Sequence, residues 1–130
     1  MIALALAGLL AASPDVSGTY RIEAPKVLKL RKGEVGHAKV EVVPRSDAHV
    51  SPDAPISLSL TAGPGVKLAK EKLVRGDAKE TRAKGVEFDV PFTAASAGKD
   101  EVKGTLNFFI CTEKLCEKQK REIAMAVEVQ

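Results

Sequence analysis

The 130-residue sequence has few aromatic residues, histidines and cysteines, and each shortage excludes a class of function. It contains no Trp, one Tyr and four Phe, too few for the aromatic platforms on which proteins stack nucleic-acid bases. Two histidines leave few candidates for a general base, and no Ser-His-Asp or Cys-His set is recognisable. The net charge is only +3, and its signs are interspersed rather than gathered into a basic patch. These shortages argue against a self-sufficient enzyme and against nucleic-acid binding.

Long hydrophobic runs are missing as well. No apolar run reaches the roughly 18 residues that a transmembrane helix requires, so we expect no stable membrane insertion of the mature chain. Hydrophobic residues make up 45% of the sequence and charged residues 28%, a balance typical of a folded domain. At this length the chain can build one hydrophobic core but not two.

The first apolar stretch resembles an export signal. Residues 2–12 (IALALAGLLAA) are uncharged, and Ser13-Pro14-Asp15 follows as a polar boundary. We therefore predict a cleavable signal peptide over residues 1–13, a mature domain over residues 14–130, and a periplasmic or secreted location. No Lys or Arg precedes the stretch, so a buried N-terminal strand or helix is the alternative.

After Pro14 the hydrophobic residues alternate with polar ones, as in half-buried strands. Val86, Phe88, Val90 and Phe92 show the pattern most clearly. The same alternation occurs over 38–42, 56–60 and 123–129, and 105–111 also has strand character. Seven or more short strands separated by turn signals predict an all-β antiparallel sandwich.

Two segments do not follow this pattern. Residues 44–55 are rich in Ser, Asp and Pro and are predicted to be a loop that contains His49. Residues 68–84 are charged and interrupted at Gly76, which leaves a short helix or a mobile loop as alternatives. His37 falls on the polar side of a predicted strand, and we expect both histidines to be solvated.

The two cysteines are the sharpest chemical feature. Cys111 and Cys116 enclose four residues between two predicted strands, a normal hairpin length that can bring the two sulfurs into disulfide range. On the chain-entropy model, a disulfide that closes so short a loop adds roughly 2 kcal/mol to the free energy of unfolding. Two hypotheses for the pair therefore stand: a structural disulfide, and thiol–disulfide exchange at an exposed hairpin tip. Zinc would need two further ligands, and His37 and His49 are distant in sequence; no metal or other cofactor is predicted.

The order of several short motifs resembles the N-terminal immunoglobulin-like domain of the DsbD family of thiol–disulfide interchange proteins. The resemblance covers most of the chain from about Val27 to Val129. The motifs that carry it are HVSPDAPI (49–56), GVKL (65–68), VEFDVPF (86–92), KGTL (103–106) and FICTEKLC (109–116).

This resemblance implies a periplasmic immunoglobulin-like β-sandwich with a redox-active pair, Cys111 and Cys116, at a hairpin tip. In the family that pair takes electrons from a membrane donor and passes them to periplasmic thiol–disulfide proteins. The first hypothesis is accordingly an electron relay whose partner is another thiol or disulfide protein. The second is a non-catalytic immunoglobulin-like module that binds protein and is stapled by a structural disulfide.

Overall fold

The computed structural model describes residues 18–130, and the predicted signal segment over residues 1–13 lies outside them. The described residues form eleven strands and a three-residue 3-10 turn, Arg75–Asp77. None of their helical structure is long and apolar enough to cross a membrane. The strands are β1 Tyr20–Glu23, β2 Val27–Leu30, β3 Val35–Pro44, β4 His49–Val50, β5 Ser57–Ala62, β6 Val66–Leu68, β7 Lys72–Val74, β8 Ala78–Glu80, β9 Val86–Ala94, β10 Gly98–Cys111 and β11 Cys116–Val129.

The strands form two sheets. The first has the order β1-β3-β9-β6, with β8 also paired to β9, and the second has the order β2-β11-β10-β5-β7, with β4 also paired to β10. Every pairing is antiparallel except that of β2 with β11. With β3, β9 and β6 taken as strands B, E and D, and β5, β10 and β11 as C, F and G, this is the strand order of an immunoglobulin domain. The predicted all-β immunoglobulin-like sandwich is confirmed.

The core lies between the inner faces of the two sheets. Phe88 and Phe92 project from the first sheet, Leu106 and Phe108 from the second, and all four are essentially inaccessible to solvent. They occupy alternate positions on their strands because successive side chains of a strand point to opposite faces. Burying a side chain of this size stabilises the fold by about 1.5–3 kcal/mol. The alternation predicted for 86–92 is therefore the buried face of β9.

Pro91 lies inside β9, although proline is normally restricted to sheet edges because it cannot donate a backbone hydrogen bond. The first sheet accommodates it with a gap between two short strands. On the side of β9 away from β3, β6 pairs with residues 92–94 and β8 pairs with residues 86–88. The Pro91 carbonyl faces that side and accepts a hydrogen bond from the amide of Ala69 at 3.2 Å. The position at which Pro91 lacks an N–H therefore lies in the gap between β6 and β8, where no described strand offers a carbonyl acceptor.

The expectations for the two irregular segments were wrong in part. Residues 68–84 do contain one short helical turn, the 3-10 turn Arg75–Asp77, but they also contain the strands β7 and β8, which were not expected and which carry the chain from the second sheet to the first. The loop predicted over 44–55 contains β4. All three of these strands are only two or three residues long, and so short a run has no detectable alternation. The last two predicted strands are each longer than expected, at 14 residues.

Candidate functional site

The cysteine pair closes the end of the long hairpin formed by β10 and β11. The two strands pair without a bulge from Gly98↔Val129 to Cys111↔Cys116. Residues 112–115 form the turn, in which the Thr112 amide donates to the Leu115 carbonyl at 2.9 Å. The two Cα atoms are 4.0 Å apart and the sulfurs are bonded to each other. The predicted pairing of Cys111 with Cys116 is confirmed.

The strand register places the disulfide on the outer face of the second sheet. Leu106, Phe108 and Ile110 are buried in the core, so Phe109 and Cys111, at alternate positions on β10, face away from it. The disulfide is therefore not the core bridge between sheets that immunoglobulin domains use. It is a cross-strand bond on the surface of one sheet.

The two cysteines differ sharply in accessibility. Cys111 is only 3% exposed, because β10 is flanked there by β11 on one side and by β4 on the other. Cys116 is exposed. It begins β11, whose other edge is covered by β2 only over residues 126–129. Of the two cysteines, Cys116 is therefore the one that presents surface to solvent.

His49 lies next to the disulfide, a position that the sequence analysis missed. It pairs with Cys111 across the β4–β10 ladder, which places the two side chains on the same face with Cβ atoms about 5 Å apart. It is half-buried rather than fully solvated, and it lines a cavity of about 300 Å³ together with Arg75 and Lys84. The sequence gives no direct signal for the proximity of His49 to Cys111, because it depends on the pairing of a segment predicted to be a loop with β10.

Tyr20 anchors the first half of β11 to the other sheet. Its hydroxyl donates to Gln119 Oε1 at 2.8 Å and accepts from the Arg121 guanidinium at 3.3 Å. Its ring packs edge-on against Phe108, with centroids 5.1 Å apart. These contacts hold the exposed cysteine's strand in place although that stretch of β11 is a sheet edge.

The charged side chains of the hairpin tip face solvent. None of the six ion pairs found within residues 18–130 includes a residue of the segment 111–120. The same part of the chain contains no group of three or more His, Cys, Asp or Glu residues arranged to hold a metal ion.

Comparisons with known proteins identify no family. No protein-family profile matches the chain, and no curated protein matches it. Among solved structures, AggA, the major subunit of aggregative adherence fimbriae type I from Escherichia coli, superposes with a TM-score of 0.49 at 10% identity, over 85% of this chain and 94% of that one. The E. coli alpha-2-macroglobulin from domain MG7 to its C-terminus gives 0.47 at 11% identity, over 85% of this chain and 16% of that one. Murine CRIg gives 0.41 at 10% identity, over 85% and 98%. Similarities this weak carry no inference about function.

Proposed function

We propose that this domain is a thiol–disulfide electron relay that works through Cys111 and Cys116. The observation that carries the proposal is the unequal exposure of the two cysteine residues, with Cys116 exposed to solvent and Cys111 only 3% exposed. Exchange requires one accessible sulfur and a second one held within reach to resolve the mixed disulfide. The resemblance of the 109–116 motif to the DsbD family supports the same reading.

The reaction exchanges the dithiol of one protein for the disulfide of the other, so that two thiols and one disulfide are present before and after it. In the reduced domain, the Cys116 thiolate attacks one sulfur of a partner protein's disulfide. The partner's S–S bond breaks, its other sulfur leaves as a thiolate, and a Cys116–partner bond forms. The Cys111 thiolate then attacks the Cys116 sulfur, re-forms the domain's disulfide and releases the partner as a dithiol. Two electrons pass to the partner, and a dithiol donor protein restores the domain by the reverse steps.

Such chemistry needs a compartment in which disulfides persist, so we propose a periplasmic or secreted location. The apolar residues 2–12 support this, although they lie outside the described part of the chain. The partners are other thiol or disulfide proteins, either a membrane donor or a periplasmic acceptor.

The reduction potential of the pair tests the proposal. Equilibration of the purified chain with graded thiol buffers is expected to give a value of roughly −120 to −270 mV, the range of thiol–disulfide exchange proteins. A reduction potential below about −300 mV would instead identify a structural disulfide. The alternative function, a non-catalytic protein-binding module, would then be the better supported one.

Single-cysteine variants test the assigned roles. Cys111→Ala leaves only the exposed sulfur, and Cys116→Ala leaves only the buried one. With oxidised glutathione as the probe, we expect Cys111→Ala to form the mixed disulfide about tenfold faster or more, because access governs exchange rates. Mass spectrometry of quenched samples measures both rates, and equal rates would contradict the assignment of Cys116 as the attacking residue.

A further inference from the structure

An open groove lies beside the disulfide on the outer face of the second sheet. It has a volume of about 710 Å³ and crosses strands β7, β5, β10 and β11. Phe109, Val74 and Pro55 contribute its apolar surface. Phe109 and Cys111 are two residues apart on the same face of β10, so their Cα atoms are about 7 Å apart. One end of the groove therefore lies two residues from the disulfide on the same face of the sheet.

The charge in this groove has one sign. Lys72, Arg75 and Lys118 line it, and no Asp or Glu of residues 18–130 does. The Arg75 guanidinium is held in place by hydrogen bonds to the backbone carbonyls of Ser51 and Ala54. Lys72 and Lys118 are exposed, and neither belongs to an ion pair formed within the described residues. The groove thus presents cations that its own surroundings do not neutralise.

Exposed apolar side chains surround the same surface. Val74 is 45% exposed in the groove and Leu115 is 54% exposed at the hairpin tip. Of the four large hydrophobic residues exposed within the described chain, one therefore lies in the groove and another lies in the turn that the disulfide closes. An apolar centre with a polar, solvent-accessible rim is the usual composition of a protein contact surface.

We infer that this groove binds an acidic segment of the partner protein next to that partner's own cysteine. The inference rests on the proposed function for the identity of the partner and on the groove for its chemistry. Cations that form no ion pair with a carboxylate of the described residues attract a negatively charged segment and raise its association rate. Contact with Phe109 and Val74 then holds the segment while its sulfur reaches Cys116.

Peptide disulfides of opposite charge test the inference. Two synthetic peptides each carry one Cys as a mixed disulfide with neutral 2-thiopyridine, flanked by Asp and Glu in one and by Lys in the other. Attack by the Cys116 thiolate on the peptide sulfur releases 2-thiopyridone, whose absorbance gives the rate. At low salt we expect the reduced chain to react about tenfold faster or more with the acidic peptide. The difference is expected to shrink as salt is added.

Charge reversal localises the effect. The variant K72E/K118E replaces the two exposed groove lysines and should reverse the preference between the peptides. The matched control K26E/K67E makes the same change in net charge at two exposed lysines that do not line the groove, and it should keep the preference of the unaltered chain. If both variants behave alike, net charge rather than the groove sets the preference, and the inference is wrong.

A binding measurement separates this inference from the proposed function. A fluorescent, cysteine-free version of the acidic peptide is titrated with the oxidised chain, which requires no exchange. Binding that K72E/K118E abolishes supports the groove even if the reduction potential identifies a staple. A relay-range potential with no preference between peptides overturns the groove inference and leaves the relay intact. Tighter binding of phosphatidylglycerol vesicles or of single-stranded DNA through the same lysines would also overturn it.

Discussion

At the scale of single residues, the two cysteines of the site have the same side chain but differ in their exposure to solvent. Cys111 and Cys116 are directly opposite each other in one ladder, yet one is buried and the other exposed. The difference comes from neighbours, since β4 lies against Cys111 while no described strand flanks β11 at Cys116. His49 belongs to that same neighbouring strand. Accessibility is thus a property of the flanking strands rather than of cysteine itself.

Asp77 provides a pH-dependent prediction at this scale. Its carboxylate accepts hydrogen bonds from the Lys70 ammonium at 2.8 Å and from the Val74 amide at 2.9 Å, and these contacts lower its pKa. A carboxyl whose pKa is lowered by folding stabilises the fold above its unfolded pKa, about 3.9, and loses that contribution as pH falls through the folded pKa. We expect Asp77→Asn to be less stable than the unaltered chain at pH 7 and equally stable near pH 2.

Urea denaturation at the two pH values measures this difference. Asp53→Asn is the control, because Asp53 is exposed and makes no side-chain hydrogen bond to the described residues. A deficit of Asp77→Asn that persists undiminished in acid would contradict the assignment.

At the scale of structural elements, short segments position the long ones. The 68–84 segment crosses between sheets, and Arg75 ties its 3-10 turn to the carbonyls of Ser51 and Ala54. The 81–85 turn connects β8 to β9 and is closed by paired hydrogen bonds between Thr81 and Gly85. From this turn the Lys84 carbonyl accepts a hydrogen bond from Val50 in β4. The strand that covers Cys111 therefore depends on the turn before β9.

Gly85 is the residue of that turn least able to carry a side chain. A Cβ there would overlap the backbone carbonyl oxygen of Val42 and crowd Pro44. We expect Gly85→Ala to lower the free energy of unfolding by about 1–3 kcal/mol, as overpacking does. In Gly76→Ala the new Cβ would meet nothing within 4 Å, so that variant should be as stable as the unaltered chain. Urea denaturation of both gives the comparison, and equal stability would show that the turn can shift without cost.

At the scale of the whole molecule, the disulfide lies outside the hydrophobic core cluster that stabilises the fold. The core is built from both sheets and contains residues such as Phe88 and Phe108, whereas the sulfur pair is on the outer face of one sheet. The hairpin beneath it is already held by fourteen paired positions. A relay requires this separation, because the domain must keep its shape in both the dithiol and the disulfide state.

Removal of the bridge should therefore weaken the fold without destroying it. We expect the double variant C111A/C116A to keep the circular dichroism spectrum of the oxidised chain and to lose about 2 kcal/mol of unfolding free energy, the loop-closure contribution of so short a crosslink. The reduced, unaltered chain should behave in the same way. An unfolded double variant would show that the bridge is a structural necessity and would count against the relay.

The sequence by itself determined what is local along the chain. Alternation over 86–92 and 56–60 predicted strands because a two-residue period is a property of the strand itself, and many such strands with turn signals predicted a sandwich. The pairing of Cys111 with Cys116 was equally local, since four intervening residues suffice to bring them together. Only the tertiary structure decided which cysteine is exposed, that His49 lies against Cys111, and that Val74, Phe109 and Lys118 share one groove. These depend on strands that are brought together across long stretches of chain, and such pairings are selected by packing of the two sheets as a whole, a choice that no local pattern encodes.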